Sequence, residues 1–149
     1  MTQTKSPEFW EQAKRELKRA DPIMKKIINA YKGEVLQCKE DAFHTLMRAI
    51  VGQQISVKAA DAIWARLEAG LGQVTPEHCY GKDAETFRSF GLTRQKSGYA
   101  VDLAQFFHSR QHLERDWSTM SDEEVIADIT QIKGIGRWTA EMFLIFHLM

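Results

Sequence analysis

Two glycines flank a single isoleucine near the end of the chain, in the stretch IKGIGRW at residues 132–138. The residues before it are patterned for a helix, because Ser121 and Glu124 match a capping box and apolar residues follow at helical spacing over 121–132. A second helix is predicted from Arg137 onward. A connection as short as KGIG forces two helices into a hairpin, and glycine permits the backbone angles and close packing that such a turn requires.

The predicted hairpin offers backbone donors to an anion. Its turn leaves the N–H groups of Gly134 and Gly136 beside a helix N-terminus, where the helix dipole favours negative charge. Lys133 and Arg137 would assist. Lys plus Arg and Asp plus Glu number 20 each, so a polyanion would have to be held by such local geometry rather than by net charge. The alternative is a plain helix–helix turn whose glycines only end one helix and start the next.

The rest of the chain is also patterned for helices. Three prolines follow a residue that can cap a helix, and the predicted starts are Ser6–Pro7, Asp21–Pro22 and Thr75–Pro76. Helical apolar stripes cover residues 41–52, 56–72 and 93–109, the second of them opened by Ser56. No stretch sustains period-two alternation. The predicted fold class is all-α, with about eight helices.

Length and composition favour one soluble domain. A chain of 149 residues is long enough for a single hydrophobic core. The two cysteines, Cys38 and Cys79, have neither CxxC nor metal-ligand spacing, which favours a reducing compartment. The charged N-terminus differs from a secretory signal, and no apolar stretch reaches the length of a membrane span. We therefore expect a cytoplasmic protein with no membrane partner.

Two segments together resemble a known family. IKGIGRWTAEMFL, preceded about eighty residues earlier by AIVGQQISVKAA, resembles the helix-hairpin-helix (HhH-GPD) DNA glycosylase superfamily, in particular the DNA-3-methyladenine glycosylase II type, over roughly residues 40–149. The resemblance implies an orthogonal helical bundle of two lobes with a cleft between them. It divides a single, incomplete domain (1–149) into N-terminal helices (1–40), a helical lobe (41–120) and the helix-hairpin-helix (121–149).

The resemblance implies that the hairpin binds the DNA backbone beside a damaged base. The residues assigned to this contact are Lys133, Gly134, Ile135, Gly136, Arg137 and Thr139. A sodium or potassium ion would bridge the hairpin to phosphate, and its ligands would be the backbone carbonyls of Thr130, Ile132 and Ile135. No cofactor is otherwise expected.

The implied activity is excision of alkylated purines that are flipped out of double-stranded DNA, without strand cleavage. Trp138 stands where bifunctional members of the family carry a lysine that forms a Schiff base, and an indole cannot do that chemistry. The implied base pocket comprises Phe43, Trp138 and Met142. For Phe43 and Trp138 the alternative is a purely structural place in the core.

The VGQQIS segment is implied to meet the minor groove. Gln54 corresponds to the residue that fills the gap left by the flipped nucleotide, which offsets part of the cost of flipping. Ser56 is assigned a DNA contact beside it. In the alternative, Gln53 and Gln54 have local roles, bonding the end of the preceding helix and the cap at Ser56.

The resemblance places the catalytic aspartate in a loop after the last helix, beyond Met149, so no catalytic residue is assigned. The aspartates that do not match the family position are Asp102, Asp116, Asp122 and Asp128. We therefore expect a truncated glycosylase that is inactive as it stands and either is poorly stable or self-associates through its apolar last helix. The alternatives are a noncatalytic helix-hairpin-helix DNA-binding module and an all-α protein-interaction domain.

Overall fold

A computed structural model describes residues 6–38, 41–109 and 116–149, and the regular structure in these ranges is entirely helical. The α-helices, in chain order, are α1 (Trp10–Ala20), α2 (Pro22–Ala30), α3 (Ala42–Gly52), α4 (Val57–Leu71), α5 (Pro76–Cys79), α6 (Ala84–Ser89), α7 (Arg94–Ser109), α8 (Asp122–Ile129) and α9 (Arg137–Phe143). A 3₁₀ turn (Trp117–Thr119) precedes α8, and a π-helical turn (Leu144–Leu148) continues α9. The all-α prediction is confirmed.

Side-chain caps set most of the predicted helix starts. Asp21 accepts the amides of α2, Thr75 caps α5, and Ser121 and Glu124 complete the capping box of α8. The start predicted at Ser6–Pro7 is wrong, because α1 begins at Trp10 without a side-chain cap among the described residues. The Pro7 carbonyl accepts the Trp10 amide at 3.0 Å, so the proline forms a turn that precedes the helix.

The helix predicted over 121–132 is shorter than expected, since α8 ends at Ile129. The Thr130 hydroxyl donates to the Ile126 carbonyl at 2.7 Å, a local bond that competes with regular helix geometry. Two tight turns follow, in which the amide of Ile132 bonds the carbonyl of Ile129 and the amide of Ile135 bonds the carbonyl of Ile132, each at 3.1 Å. The connection to α9 therefore spans residues 130–136 rather than the four residues KGIG.

Helix α3 lies at the centre of the core and packs against α4, α7 and α9. Its stripe is buried as predicted, with Met47, Ile50 and Val51 fully inaccessible. Ile132, within the 130–136 connection, and Phe143, on α9, lie in the same core. The end of α3 and the start of α9 are consequently anchored to one packed unit.

The N-terminal helices differ from this core. Helices α1 and α2 pack against each other, and neither contains a buried residue. The boundary predicted at residue 40 lies outside the described residues. In the part of the chain that the structure describes, no helix combines the length and apolar character needed to cross a bilayer.

Candidate functional site

The chain reverses direction directly after α3, in a turn formed by residues 52–55. Gln53 has φ −56° and ψ 128°, and Gln54 has φ 58°, as in a type II turn. The Ile55 amide lies 3.5 Å from the Gly52 carbonyl. Glycine or asparagine usually occupies the third position, so glutamine there stores backbone strain of about 1–2 kcal/mol. The Gln54 side chain is exposed.

Two long-range contacts hold the 52–55 turn. The ammonium Nζ of Lys96, on α7, donates to the Val51 carbonyl at 2.9 Å and to the Gln53 carbonyl at 2.5 Å. The side-chain amide of Gln53 donates to the Gly134 carbonyl at 2.9 Å. The alternative that gave Gln53 a local partner is therefore wrong, because its side chain bonds the 130–136 connection, far along the chain.

Both glycines of the sequence pattern lie in the 130–136 connection, but their surroundings differ. Gly134 has φ 86°, and a Cβ there would lie 2.2 Å from Cδ2 of the Tyr99 ring. Gly136 has φ −92° and open space where a Cβ would stand. The fold therefore requires glycine at 134, whereas at 136 neither packing nor backbone conformation requires it.

Helix α9 starts in a way that suits an anion. Gly136 is its N-cap residue, and no side chain among the described residues caps its first amides. The amide of Lys133, in contrast, donates to Oδ2 of Asp102 at 2.8 Å. The Lys133 side chain is exposed, while that of Ile135 is buried. Ile135 can therefore offer only its backbone to an external ligand.

The carbonyls predicted to bind a monovalent cation lie in this same connection. The Ile132 carbonyl accepts the Ile135 amide at 3.1 Å, and a carbonyl oxygen keeps a second lone pair. Neutral carbonyl oxygens are ligands that potassium and sodium accept. The donor set therefore fits an alkali cation in its chemistry, and its members are Thr130, Ile132 and Ile135.

The guanidinium of Arg137 is paired with carboxylates. It donates to both oxygens of Glu123, at 3.1 and 2.5 Å, and its Nε donates to Glu141 at 2.9 Å. The hydrogen bonds and charge of Arg137 hold the pKa of Glu123 below its ordinary value. Exposed ion pairs of this kind are weak, so a phosphate can compete with Glu123 for the guanidinium.

An open cavity of about 750 Å³ lies between the 52–55 turn and the start of α9. Trp138, Thr139 and Met142 line it from α9, and Gln53 and Gln54 line it from the turn. Trp138 is 71% exposed, so the alternative that placed it in the core is wrong. The two sequence segments singled out above therefore meet at one surface.

Phe43 does not belong to this cavity. Its side chain is 2% exposed, and its ring meets the edge of Phe107 with the centroids 5.4 Å apart. The prediction that Phe43 forms the base pocket is wrong because the apolar stripe of α3 turns it into the core. Of the three predicted pocket residues, Trp138 and Met142 remain.

The aspartates near these segments serve structural bonds. Asp61, the one carboxylate that lines the cavity within the described ranges, pairs with Nη2 of Arg48 at 2.8 Å. Buried Asp128 accepts the indole N–H of Trp117 at 2.9 Å. Asp102 accepts the Lys133 amide, as described above. These contacts explain the three aspartates without a catalytic role.

The residues of the 52–55 turn and of α9 named above at the cavity fall within one family match. The sequence profile described as HhH-GPD superfamily base excision DNA repair protein matches residues 47–142, a range that contains both the 52–55 turn and the 130–136 connection. The chain belongs to this superfamily. The helix-hairpin-helix fold of the HhH-GPD proteins confirms the predicted fold class, and the match argues against an incidental glycine turn in a protein-interaction domain.

Relatives of this HhH-GPD chain are named 3-methyladenine glycosylases. It is 36% identical over 131 residues to DNA-3-methyladenine glycosylase 1 of Schizosaccharomyces pombe, covering 83% of this chain and 56% of that protein. A structure of the S. pombe 3-methyladenine DNA glycosylase in complex with abasic DNA superposes with a TM-score of 0.74 at 33% identity, over 92% of this chain and 70% of that one. A DNA-3-methyladenine glycosidase from Bacillus halodurans gives 0.73 at 30% identity, over 99% and 68%. The chain thus spans little more than half of the curated S. pombe relative.

Sequence reasoning missed three residues of α7 that hold this HhH-GPD site together. Lys96 bonds the 52–55 turn, Tyr99 packs under Gly134, and Asp102 accepts an amide from the same connection as Gly134. They follow one another at three-residue spacing, which puts them on one face of the helix. Their partners lie 31 to 45 residues away in sequence, where local patterns carry no information.

Proposed function

We propose that this chain forms the part of an alkylpurine DNA glycosylase that binds damaged double-stranded DNA and receives the flipped base. The observation that carries the proposal is the shared cavity, because the 52–55 turn and the first turns of α9 line one open space of about 750 Å³. This volume lies within the range of roughly 300–1,000 Å³ that is typical of sites for small ligands. Two segments far apart in sequence thus converge on a space suited to a purine base.

Gln54 is our candidate for the residue that enters the duplex. Backbone strain at a non-glycine residue with positive φ is frequent at functional sites, and Gln54 combines such a φ with an exposed side chain. Flipping a nucleotide leaves an unstacked gap, and a side chain that fills it offsets part of the cost. Ser56, exposed beside it at the N-cap of α4, would bond the sugar-phosphate backbone.

The 130–136 connection would bind the phosphates next to the lesion. The uncapped amides at the start of α9 supply donors, and Gly136 leaves room for close approach. Lys133 adds an exposed charge, and Arg137 can exchange Glu123 for phosphate. The further contacts are the backbones of Gly134 and Ile135 and the hydroxyl of Thr139.

A sodium or potassium ion on the carbonyls of Thr130, Ile132 and Ile135 would add positive charge at the same place. Its role would be to bridge protein and phosphate. Duplex affinity measured in potassium chloride should then exceed that in tetramethylammonium chloride of equal ionic strength, because the larger cation cannot enter a site built from backbone oxygens. Equal affinities in the two salts would argue against the site.

Trp138 would receive the flipped base. Its indole is largely exposed at the cavity, and stacking of a base on an aromatic ring contributes about 1–3 kcal/mol. Purines alkylated on a ring nitrogen carry positive charge, which the face of an indole favours further. Met142 supplies a polarizable contact on the same side of the cavity.

Hydrolysis of the N-glycosidic bond builds positive charge on the sugar and calls for a carboxylate beneath it. Asp61, the carboxylate that lines the cavity in the described part of the chain, is paired with Arg48. We therefore propose that the 149-residue chain binds DNA without excising bases, and the pairing of Asp61 favours the noncatalytic binding module as the second candidate.

Self-association would follow from the last helical turns. Ile145 is 44% exposed within the apolar stretch 142–149. A second copy that covers this surface would bury it. Sedimentation velocity over increasing protein concentration tests this, and a constant monomer mass would contradict it.

The proposal is tested by comparing the affinities for a duplex with an abasic site and for an intact duplex of the same sequence. Fluorescence anisotropy should show tighter binding to the abasic duplex. Gln54→Gly keeps the turn, since glycine accepts positive φ, but removes the inserted side chain. The preference should fall by roughly tenfold, because unstacking costs a few kcal/mol.

Gln54→Leu is the matched variant, because apolar wedges also fill such gaps, and it should retain the preference. Equal affinity of the wild-type chain for the two duplexes would contradict the proposal. So would an unchanged preference in Gln54→Gly.

A further inference from the structure

The 52–55 turn has a backbone conformation that its own residues do not favour. Type I and type II turns differ by rotation of the central peptide, here the one that joins Gln53 to Gln54. A type I turn would give Gln54 a negative φ, which L-residues favour over the left-handed region by about tenfold in population. The sequence at these positions therefore favours type I, yet the structure has type II.

A hydrogen bond from Lys96 stabilises the type II form of this turn. The oxygen of the central peptide is the Gln53 carbonyl, and Nζ of Lys96 lies 2.5 Å from it. Rotating this peptide to type I would point the oxygen away from the ammonium and break the bond. The second bond, to Val51 at 2.9 Å, holds the ammonium at the end of α3, where free carbonyls favour a cation.

Burial makes this contact harder to replace. Lys96 is half-buried, and burial lowers its pKa because the ammonium loses water. The two carbonyls take over the hydrogen bonds that water would make. The bond from the Gln53 side chain to the Gly134 carbonyl restrains the same residue from its other side.

We propose that Lys96 is a positioning residue that holds the 52–55 turn in its type II form and thereby keeps Gln54 at positive φ. Lys96 touches neither substrate nor DNA in this role. The consequence for DNA rests on the proposed function: Gln54 would be set for insertion before the duplex arrives.

The direct test is nuclear magnetic resonance on the 149-residue chain, which needs no activity. In a type II turn the Gln53 Hα lies close to the Gln54 amide proton, whereas in type I the two amide protons are close. Wild type should show the first contact in a ¹⁵N-edited NOESY spectrum, and Lys96→Met should show the second. Lys96→Arg, which keeps N–H donors, should restore the wild-type pattern.

The matched control is Lys82→Met, which removes an exposed charge away from the turn. The remaining resonances report folding in every variant, so a misfolded protein cannot be mistaken for a flipped turn. A type II pattern in folded Lys96→Met would overturn the proposal.

Measurements of DNA affinity test the role of Lys96 separately from the proposed function on which its consequence for DNA rests. Lys96→Met should weaken binding to the abasic duplex by about tenfold, the cost of selecting a minor conformation. Affinity for the intact duplex, and its salt dependence, should stay as in Lys82→Met. A flipped turn with unchanged abasic preference would support the role of Lys96 while contradicting the role of Gln54 in the duplex.

Discussion

The guanidinium of Arg137 is paired with carboxylates of the protein, with which a phosphate must compete. Its three donor nitrogens face Glu123 and Glu141, so the positive charge of the guanidinium is more than offset by two carboxylates. Because the pKa of Glu123 is lowered, this pairing persists through neutral pH and is lost only as the pH falls through that lowered value. Phosphate must therefore displace a carboxylate before it can use this arginine.

Glu123→Gln is expected to tighten binding to duplex DNA, because it frees the Arg137 guanidinium for phosphate. The plot of log affinity against log salt concentration should become steeper by about one unit, the change for one added phosphate contact. Anisotropy titrations at several salt concentrations measure both effects.

The control is Glu85→Gln, which makes the same charge change in an exposed pair with Arg88 on α6. Both variants remove one negative charge, so a general electrostatic effect would appear in each. If the two gain affinity equally, Arg137 is not restrained in the way described.

Whole helices were predictable where a cap and a stripe act locally. The bounds of α3 and α4 followed from their apolar stripes, with Ser56 between them as a cap. The helix start predicted at Ser6–Pro7 was wrong because proline is as compatible with a turn as with the first residue of a helix. The strained turn at Gln54 was not predicted, because the residue that stabilises it, Lys96, lies on another helix and no local sequence pattern reports such a contact.

The cavity was only partly foreseen for the same reason. The resemblance assigned Trp138 and Met142 to the base pocket, and both line the cavity, while the binding of a base there stays a prediction. Phe43 was misplaced because the resemblance assigns a position and not the direction of a side chain. Its membership of the α3 stripe was the better guide.

The two glycines of the 130–136 connection should respond differently to alanine. Gly134→Ala forces a Cβ into the Tyr99 ring and puts alanine at positive φ, so the free energy of unfolding should fall by about 2–4 kcal/mol. Gly136→Ala should unfold like wild type but bind duplex about tenfold more weakly, since a lost hydrogen bond to a charged group costs ~1.5 kcal/mol. Urea denaturation and anisotropy measure the two effects.

Gly33→Ala is the control for both variants. It also has open space at the Cβ position and lies in the N-terminal segment, outside the 130–136 connection. Normal binding by a stable Gly136→Ala protein would mean that phosphate does not approach this part of the backbone.

At the scale of the molecule, binding and excision are expected to separate. The 149-residue chain should bind abasic duplex yet release no 3-methyladenine from methylated DNA, because the carboxylate at its cavity is tied to Arg48. Chromatography of the freed bases, with the S. pombe relative as positive control, gives the rate. If 3-methyladenine is released faster than the spontaneous background, and the rate rises with protein concentration, a carboxylate of this chain can act as the catalytic group.

The face of α7 that carries Lys96, Tyr99 and Asp102 also constrains how such chains can evolve. One inserted residue rotates the rest of a helix by about 100°, so an insertion between 96 and 102 would turn one of these contacts away from its partner. Lineages that keep the strained turn should then keep this stretch free of length changes, while the loop at 72–75 between α4 and α5 can vary. The contacts of α7 thus constrain the number of codons between positions 96 and 102.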